Sequence, residues 1–534
     1  MDDIKKDTAP CNGAAQRNAS SIDQFANETK YLRIVQPLYD FFARRKVRNH
    51  KVFALTLRIL CEKINLPKDS YSRLPVGVQN TIVMQVCQAG TRMVKGSVCV
   101  QMYDDSDDRM RWAMQNGALA IVTSHEIDNL PCIIVDNPAS VYAKMCGIYR
   151  SFSNVEVTAI IGSIGKTSTK KVINAVYRTH FSTFCDEGNE NLLFNAGYHC
   201  QHIPSNSEVW VQEVSEDTPG YAHLISEMIH PKIAVITAID KSHIGNFGDE
   251  EGIAREVCSI SSGMPADGVV IVNKDDFRAY EYLQGVRVVT ISQNDADADF
   301  CVKNLEVAKE GLKFDIVVKA DNSSHRVLMN NVYAKHNSIA ALYAFACGSI
   351  SGIDYNSIVK GIGNYRAVGI RQNVFKTKLS RNIVYADCYN AVAKSVKTAV
   401  DTCSIIDLGE KKRVAVLGDI EESGEYSQSI HNEICDIVNN SKFDIAIFYG
   451  PQSIDAAKKF KFRESLTVNC CATHDEINTL LDKYLNKGDL ILFKSSRKSH
   501  LETCIKKKWP VSFAIETLRA KIPYLMWRFK VIIS

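Results

Sequence analysis

The sequence predicts an α/β protein with more than one parallel sheet. The clearest evidence is a β-branched apolar run at residues 157–161, which passes through a glycine-bracketed turn into Lys166 and Thr167. Helical apolar spacing follows at residues 171–177, so the order is strand, loop, helix. Short apolar runs alternate with helix-like stretches on both sides of this segment. This alternation is typical of parallel strands that are joined by helices.

Length and composition restrict the class of protein. At 534 residues the chain is too long for one core, and it suggests about three or four domains of roughly 150 residues. Hydrophobic residues (46%) and charged residues (23%) have the proportions of a globular protein, and a net charge of +4 does not indicate a nucleic-acid partner. No apolar run of about 18 residues could span a bilayer, and the polar start lacks the apolar core of a signal peptide. We therefore expect a cytoplasmic monomer that binds no nucleic acid.

The cysteines do not form a recognisable framework. The chain has 17 of them, scattered without a CxxC pair or a histidine-rich spacing, and Cys470 and Cys471 are adjacent. This distribution favours reduced, mostly buried thiols over disulfides or a zinc site.

The first 150 residues are predicted to form two regions. Residues 1–75 are an N-terminal extension that is polar and partly disordered at first, then helical where apolar residues recur between 31 and 66. Its basic patch at residues 44–51 is typical of a solvated face, and an anionic partner is the alternative. Residues 76–150 alternate strand-like runs with a helix-like piece, which predicts a small α/β domain.

Residues 151–365 are predicted to form a central domain that carries the glycine-bracketed loop. Further strand-like runs at 209–214 and 233–237 extend its parallel sheet. In such a loop the backbone N–H groups wrap a polyphosphate, Lys166 reaches the β- and γ-phosphates, and the Thr167 hydroxyl binds Mg²⁺. The full Walker pattern has glycine where this chain has Ile160, so the match is to the shorter form G-x-x-G-K-T. An ordinary strand–turn–helix is the alternative.

Residues 366–505 are predicted to form a third, doubly wound α/β domain. Strand-like runs at 382–386, 413–418, 445–450 and 490–493 alternate with helical stretches, and ligands bind beyond the ends of such strands. Residues 506–534 are a basic and aromatic tail outside this pattern. Basic residues beside aromatic ones suit a weak peripheral contact with a membrane, and packing on the protein's own surface is the alternative.

With these residues in view, the chain resembles the Mur ligase family from about residue 85 to residue 505. In the central domain the family motifs T-G-S-x-G-K-T-T, E-G-N-x-N-N, N-I-x-x-x-H-L-x-x-F-G and G-x-H-N correspond to residues 161–168, 187–192, 238–248 and 334–337. In the third domain P-G-R-M, D-D-T-Y-N-A, V-L-G-D-M-x-E-x-G-E and K-G-S-R correspond to residues 369–372, 386–391, 416–425 and 494–497. The resemblance is closest to the members that add D-alanyl-D-alanine.

The resemblance implies a three-domain architecture and an ATP-dependent amide ligase. The small domain would bind a UDP-muramyl peptide, the central P-loop domain ATP, and the Rossmann-like third domain would complete the site. The reaction implied is addition of D-alanyl-D-alanine to UDP-N-acetylmuramoyl-tripeptide through an acyl phosphate, in peptidoglycan synthesis. The residues implied for ATP are Gly162, Ser163, Ile164, Gly165, Lys166, Thr167, Ser168, Asn337, Arg371 and Asp387. The residues implied for catalysis are Lys166, Glu213, His243 and Arg371. The residues implied for binding Mg²⁺ are Thr167, Glu213 and His243. The residues implied for binding substrates are Thr91, Arg92, Asn189, Asn191, Tyr389 and Asn390.

The chain departs from the family pattern at one position with chemical consequences. Where family members carry a carbamylated lysine, this chain has Val257, which cannot bind a metal. His243 with Glu213, or a nearby anion such as Glu256, would then have to hold a second cation. Two alternatives therefore stay open: a divergent family member that joins a different carboxylate and amine, and an ATP-binding regulatory or scaffold protein without catalysis.

Overall fold

The computed structural model describes residues 55–90, 92–102, 105–185, 188, 190–239, 244–308, 310–367, 369–406, 408–421 and 426–515. The chain divides into two compact units, Met1–Tyr149 and Arg150–Ser534. Most of the predicted N-terminal extension, and the tail beyond residue 515, lie outside the described residues.

The first unit is built on a four-stranded parallel sheet. Its strands are β1 (Gln85–Gln88), β2 (Ser97–Val100), β3 (Ala120–Thr123) and β4 (Cys132–Ile134), in that spatial order. Its helices are α1 (Leu57–Lys63), α2 (Val76–Gln79), α3 (Asp107–Gln115) and α4 (Pro138–Arg150), the last of which ends at the unit boundary. The Thr56 hydroxyl caps α1, and the Leu55 carbonyl accepts a hydrogen bond from the Val83 amide. The residues from 55 onward therefore belong to this unit rather than to a separate extension.

The second unit contains a nine-stranded sheet that carries the glycine-bracketed loop. Its strands are β5 (Glu156–Ile161), β6 (Thr183–Cys185), β7 (Val209–Glu213), β8 (Ile233–Ile236), β9 (Val269–Asn273), β10 (Arg287–Ser292), β11 (Phe300–Ala308), β12 (Gly311–Val318) and β13 (Ser323–Asn330). The spatial order is β13-β12-β11-β10-β9-β8-β5-β7-β6, parallel from β6 to β11 and antiparallel from β11 to β13. The predicted parallel sheet is therefore confirmed, and β5 lies inside it with neighbours on both sides.

Helices cover this sheet and bury its faces. They are α5 (Lys166–Tyr177), α6 (Leu193–Cys200), α7 (Tyr221–Ile229), α8 (Ile244–Phe247), α9 (Glu250–Cys258), α10 (Asn337–Ile350) and α11 (Tyr355–Asn364). Helix α5, which follows the loop, packs against α10 and α11, and its Val172, Ile173 and Val176 are fully buried in one core with residues of those helices. This packing fixes the start of α5 at the end of β5.

A six-stranded sheet completes the second unit. Its strands are β14 (Asn373–Lys376), β15 (Ile383–Asp387), β16 (Arg413–Gly418), β17 (Ile445–Tyr449), β18 (Thr467–Cys471) and β19 (Leu490–Lys494), in the order β14-β15-β19-β16-β17-β18. All pairs are parallel except the edge pair β14–β15. Helices α12 (Ala393–Ile405), α13 (Ser427–Asn439), α14 (Pro451–Lys459), α15 (His474–Tyr484) and α16 (Glu502–Lys508) enclose two hydrophobic cores. The predicted doubly wound sheet is confirmed.

The start of the predicted tail packs onto this sheet. Residue 506 falls inside α16, whose Cys504 and Ile505 are fully buried. Trp509 packs edge-on against Phe493 with 6.3 Å between ring centroids, and its indole N–H donates to Ser380. The expectation of a tail that starts at 506 is therefore wrong for residues 506–515, because the aromatic side chain completes the core instead of facing a membrane. The membrane contact predicted for the remaining tail concerns residues outside the described part.

Two further expectations concern the described residues as a whole. The sixteen described cysteines are free thiols and most are buried, as predicted. None of the described helices has both the length and the apolar character that crossing a membrane requires.

Helices α5 and α11 approach each other closely at Gly361, and this contact yields a test of the packing. A Cβ atom at Gly361 would lie 2.6 Å from Val176 Cα and 3.0 Å from the Ala175 carbonyl oxygen, both backbone atoms. We expect Gly361→Ala to lower the free energy of unfolding by about 1–3 kcal/mol, because rigid backbone must move apart. Gly77 is the matched control, since it lies in α2 and a Cβ atom added there would have no neighbouring atom within 4 Å. Chemical denaturation should show no loss for Gly77→Ala; equal loss in both variants would contradict the packing argument.

Candidate active site

The glycine-bracketed loop is held against the end of β8. Gly162 has φ 127° and Gly165 has φ 91°, values that favour glycine. A Cβ atom at Gly162 would lie 2.5 Å from Thr237 Oγ1 and 2.7 Å from the Ala238 carbonyl oxygen, so no larger residue fits. The Ser163 amide donates to that same carbonyl at 2.7 Å. The loop is thus fixed by backbone contacts, with Ile164 exposed at its tip.

Helix α5 begins at the loop without a side-chain cap. Its N-cap is Gly165, which has no side chain to accept from the first amides of the helix. Uncapped N–H groups and the helix dipole make such an end favourable for an anion. The predicted residues Ser163, Lys166, Thr167 and Ser168 are therefore gathered at one uncapped helix end.

Lys166 forms a partly buried ion pair that the sequence did not predict. Its ammonium donates to the Gly162 carbonyl and to Glu216 Oε2, the latter at 2.7 Å. The Lys166 and Glu216 side chains are 14% and 2% exposed. Glu216 Oε1 is buried and has no hydrogen-bond partner among the described residues. The available signal was an acidic residue three positions beyond Glu213, on the loop that follows the strand end, where ligands bind in α/β sheets.

Glu213 lies at the end of β7 and makes a dense set of contacts. Its carboxylate accepts from the Thr167 hydroxyl at 3.1 Å and from the Asn191 side-chain amide at 3.3 Å, and it lies 3.1 Å from Lys170 Nζ. Glu213 and Lys170 are both 2% exposed. The predicted residues Thr167, Asn191 and Glu213 are therefore brought together, and Lys170 joins them.

Arg371, which lies just before β14 of the six-stranded (third) sheet, joins the same cluster. Arg371 Nη1 donates to Thr167 Oγ1 at 3.2 Å, although the two residues are far apart in sequence. Its guanidinium carbon lies 3.4 Å from the ring centroid of Tyr389, which orients the side chain by a cation–π contact. The start of α5, with Lys166 and Thr167, thus lies next to Glu213, Arg371 and Tyr389.

Asp387 and Asn337 have internal partners in this structure. Asp387 pairs with Lys494 Nζ at 2.8 Å, with both side chains buried, and accepts from the Gln372 amide at 3.3 Å. Lys494 also donates to the Asn390 carbonyl. Asn337, at the first turn of α10, donates to the Ala334 carbonyl at 3.2 Å. The Lys494 ammonium thus contacts both the Asp387 carboxylate and the Asn390 carbonyl. The Asn337 side chain instead bonds to the backbone just before α10.

Glu256 does not replace the missing carbamate, which corrects one of the two expectations for a second cation. Its two carboxylate oxygens accept from the amides of Gly220 and Ala222, each at 2.7 Å. These amides lie at the start of α7, whose N-cap Gly220 has no capping side chain. Burial raises the pKa of Glu256 against these two hydrogen bonds, which lower it. The carboxylate therefore caps a helix, and Val257 beside it is fully buried.

Some predicted site residues cannot be located with the others. Thr91, Asn189 and His243 lie outside the described residues. Arg92 is exposed and belongs to the first unit. Across the described ranges, no group of three or more His, Cys, Asp or Glu side chains forms a metal cage. A cation at Thr167 and Glu213 would need further ligands from a phosphate or water.

The chain is similar to known proteins over most of its length. Residues 160–348 match the family "Mur ligase middle domain", and residues 371–497 match "Mur ligase, glutamate ligase domain". The chain is 28% identical over 410 residues to UDP-N-acetylmuramoyl-tripeptide–D-alanyl-D-alanine ligase of Bacillus subtilis, which covers 75% of this chain and 87% of the relative. The Escherichia coli protein of the same name is 27% identical over 354 residues, covering 65% and 76%.

Solved structures show the same fold. MurF from Acinetobacter baumannii has a TM-score of 0.68 at 20% identity and covers 85% of this chain and 99% of its own. MurF from Thermotoga maritima in complex with ADP has a TM-score of 0.66 at 20% identity and covers 79% and 96%. The likeness therefore extends over nearly the whole length of both solved proteins.

The buried pair Asp387–Lys494 supplies a test of the third sheet's contribution. We expect Lys494→Met to lower the free energy of unfolding by about 3–5 kcal/mol, because Asp387 would be left as a buried carboxylate without its cation. Lys397→Met removes an exposed i,i+4 pair with Asp401, and it should cost at most about 0.5 kcal/mol. Urea unfolding of the two variants measures the difference. A similar small cost for both would show that the Asp387–Lys494 pair is not desolvated as described.

Proposed function

The chain belongs to the Mur ligase family, and we propose that it is the ATP-dependent ligase that adds D-alanyl-D-alanine to UDP-N-acetylmuramoyl-tripeptide. The observation that carries this proposal is the cluster around the start of α5, where Lys166, Thr167 and Glu213 meet Arg371 from the third sheet. The names of the relatives that share most of the chain supply the substrates. ATP, a UDP-muramyl peptide and a dipeptide acceptor are therefore the proposed ligands.

The reaction proceeds in two displacements. The terminal carboxylate of the tripeptide attacks the γ-phosphorus of ATP, so that an acyl phosphate forms and ADP leaves. The amine of the acceptor then attacks the acyl carbon, inorganic phosphate leaves and one proton is released. The protein's contribution is positioning and charge neutralisation, because phosphoryl transfer places negative charge on the transferring oxygens.

Each side chain of the cluster has a role in this scheme. The loop amides and Lys166 bind the β- and γ-phosphates, and Lys166 offsets charge that develops during transfer. Arg371 lies close enough to Thr167 to reach the same phosphates from the third sheet. Tyr389 holds the guanidinium by its ring face. For Asp387 and Asn337 we keep the predicted contacts with ribose and adenine as part of the proposal.

The residues present suit a Mg²⁺ ion. Thr167 and Glu213 offer hard oxygen ligands at the phosphate end of the loop, and Glu216 has a buried oxygen without a partner among the described residues. Bound there, Mg²⁺ would neutralise the β- and γ-phosphates. We retain His243 as a further predicted ligand. Thr91, Arg92, Asn189, Asn191 and Asn390 remain the proposed substrate contacts, and a cytoplasmic monomer remains the proposed state.

A divergent ligase is the second candidate, and Val257 is the observation that favours it. This side chain is fully buried and carries no group that could bind a cation. A member of the family without the usual modified lysine could act on a different carboxylate or amine. The proposed weak membrane contact of residues 516–534 does not distinguish these two candidates.

A substrate panel tests the proposed function. The full chain would be incubated with ATP, Mg²⁺, a UDP-N-acetylmuramoyl peptide of three, two or one amino acids, and D-alanyl-D-alanine or single amino acids. We expect ADP release and a ligated product by mass spectrometry only for the tripeptide with D-alanyl-D-alanine. Turnover with another pair would identify the divergent ligase, and nucleotide binding without turnover on any pair would contradict ligase activity.

The loop lysine provides the second test. Lys166→Ala should lower the rate of ADP release by about 10³-fold, because its charge acts chiefly in the transition state. Lys313→Ala, which removes a lysine paired with Glu310 on the β12 side of the sheet, is the control and should retain the rate. Circular dichroism and thermal melting must first show that both variants fold. A folded Lys166→Ala protein with a normal rate would remove the loop from the mechanism.

A further inference from the structure

Glu216 is a buried carboxylate beside the phosphate loop, and only one of its two oxygens has a partner among the described residues. Oε2 lies 2.7 Å from Lys166 Nζ, and Oε1 has no hydrogen-bond partner in the described part of the chain. The side chain is 2% exposed, so water does not reach it freely. Buried carboxylate oxygens are rarely left without a partner, because burial removes their hydration. The unpartnered oxygen is therefore available to a ligand that enters beside Lys166.

The other two buried glutamates near α5 and α7 differ from Glu216 in this respect. Glu213 receives hydrogen bonds from Thr167 and Asn191 and pairs with Lys170. Glu256 uses one oxygen for each of two backbone amides. Of these three carboxylates, Glu216 is the one with an oxygen left over.

A bound nucleotide would weaken the ion pair between Glu216 and Lys166. Lys166 donates to Glu216 and to the Gly162 carbonyl in this structure, and the phosphates of a nucleotide would compete for the same ammonium. Glu216, which is itself only 2% exposed, would then share its cation with an anion. Like charges repel strongly beside a buried group, because the effective dielectric constant is low. A divalent cation with oxygen ligands from phosphate and carboxylate relieves this repulsion.

Lys166 and Thr167 are consecutive residues, and each contacts one of two carboxylates. Lys166 contacts Glu216, and Thr167 contacts Glu213. Both carboxylates thus face the start of α5, where the phosphates would bind. We propose that Glu216 Oε1 binds, directly or through one water, the divalent cation that enters with the nucleotide. This assignment rests on the proposed nucleotide site and adds a consequence: Glu216 makes the loop reject nucleotide that arrives without a cation.

The test measures nucleotide binding with and without the cation, and it requires no turnover. Isothermal titration calorimetry of the full chain gives the Kd of ADP, and of a non-hydrolysable ATP analogue, in excess magnesium chloride and in excess EDTA. In Glu216→Gln we expect the ratio of Kd in EDTA to Kd in magnesium to fall by about tenfold or more. Metal-free nucleotide should bind more tightly because a repelling charge is gone, and the magnesium complex should bind less tightly.

Thermodynamic reciprocity gives an independent readout. Because coupling between two ligands is symmetric, the affinity of Mn²⁺ for the protein–ADP complex should fall in Glu216→Gln by the factor by which the Kd ratio falls when manganese replaces magnesium in the titration. Electron paramagnetic resonance of free Mn²⁺ measures that affinity directly. Glu256→Gln is the matched control, since it neutralises a buried glutamate of the same sheet's helices whose oxygens are both satisfied, and it should leave the Kd ratio unchanged.

The outcomes separate this assignment from the proposed function. An unchanged Kd ratio in a folded Glu216→Gln protein, or equal tightening with and without magnesium, would overturn the assignment and leave Glu216 as a counter-ion for Lys166. Failure of the unaltered protein to bind nucleotide in magnesium would overturn the proposed function as well. If Glu216→Gln does not fold, Glu216→Asp keeps the charge and withdraws it by one methylene, and it too should lower the Kd ratio.

Discussion

The candidate site depends on the two hydrogen bonds of the Thr167 hydroxyl. The hydroxyl donates to Glu213 at the end of β7 and accepts from Arg371 of the third sheet, so one atom joins three parts of the second unit. Because a hydroxyl carries one proton, donation to Glu213 leaves its lone pairs for Arg371 and for a cation. The phosphate loop, the acidic strand end and the arginine are therefore aligned before a ligand binds. Such preorganisation lowers the ordering cost that binding would otherwise incur.

Charge balance explains why the loop is stable on its own. Lys170 is buried at the start of α5 and Lys166 is largely buried, and the carboxylates of Glu213 and Glu216 lie 3.1 Å and 2.7 Å from their respective ammonium groups. Two buried lysines without these carboxylates would repel each other, and two carboxylates without the lysines would be strongly destabilising. These four side chains are neutral as a set. A triphosphate adds negative charge to this set, so cations have to accompany it.

The fold and the loop were predictable from sequence, and the pairing of Lys166 with Glu216 was not. Apolar runs of strand length, glycines at Gly162 and Gly165 and the following Lys-Thr are local signals, so the sheets and the loop followed from them. Glu216 was missed because its partner lies fifty residues earlier, and no periodicity connects them. Trp509 was assigned to a tail because aromatic and basic residues suit a membrane interface as well as a core. The contacts with Phe493 and Ser380 decide between these two environments.

The geometry of helix α9 places the neighbouring residues Glu256 and Val257 in different environments. Successive helical side chains diverge by about 100°, so Glu256 and Val257 cannot serve the same neighbour. Glu256 faces α7 and caps it, because Gly220 at that N-cap offers no side chain of its own. Val257 is thereby turned into the core, where an ionisable group would be buried without a partner. The sides of the helix that carry Glu256 and Val257 are both used for packing, whereas Glu251 and Arg255 pair on its exposed side. Among the described residues, the carboxylates that contact the start of α5 therefore come from the end of β7 and the loop after it, Glu213 and Glu216.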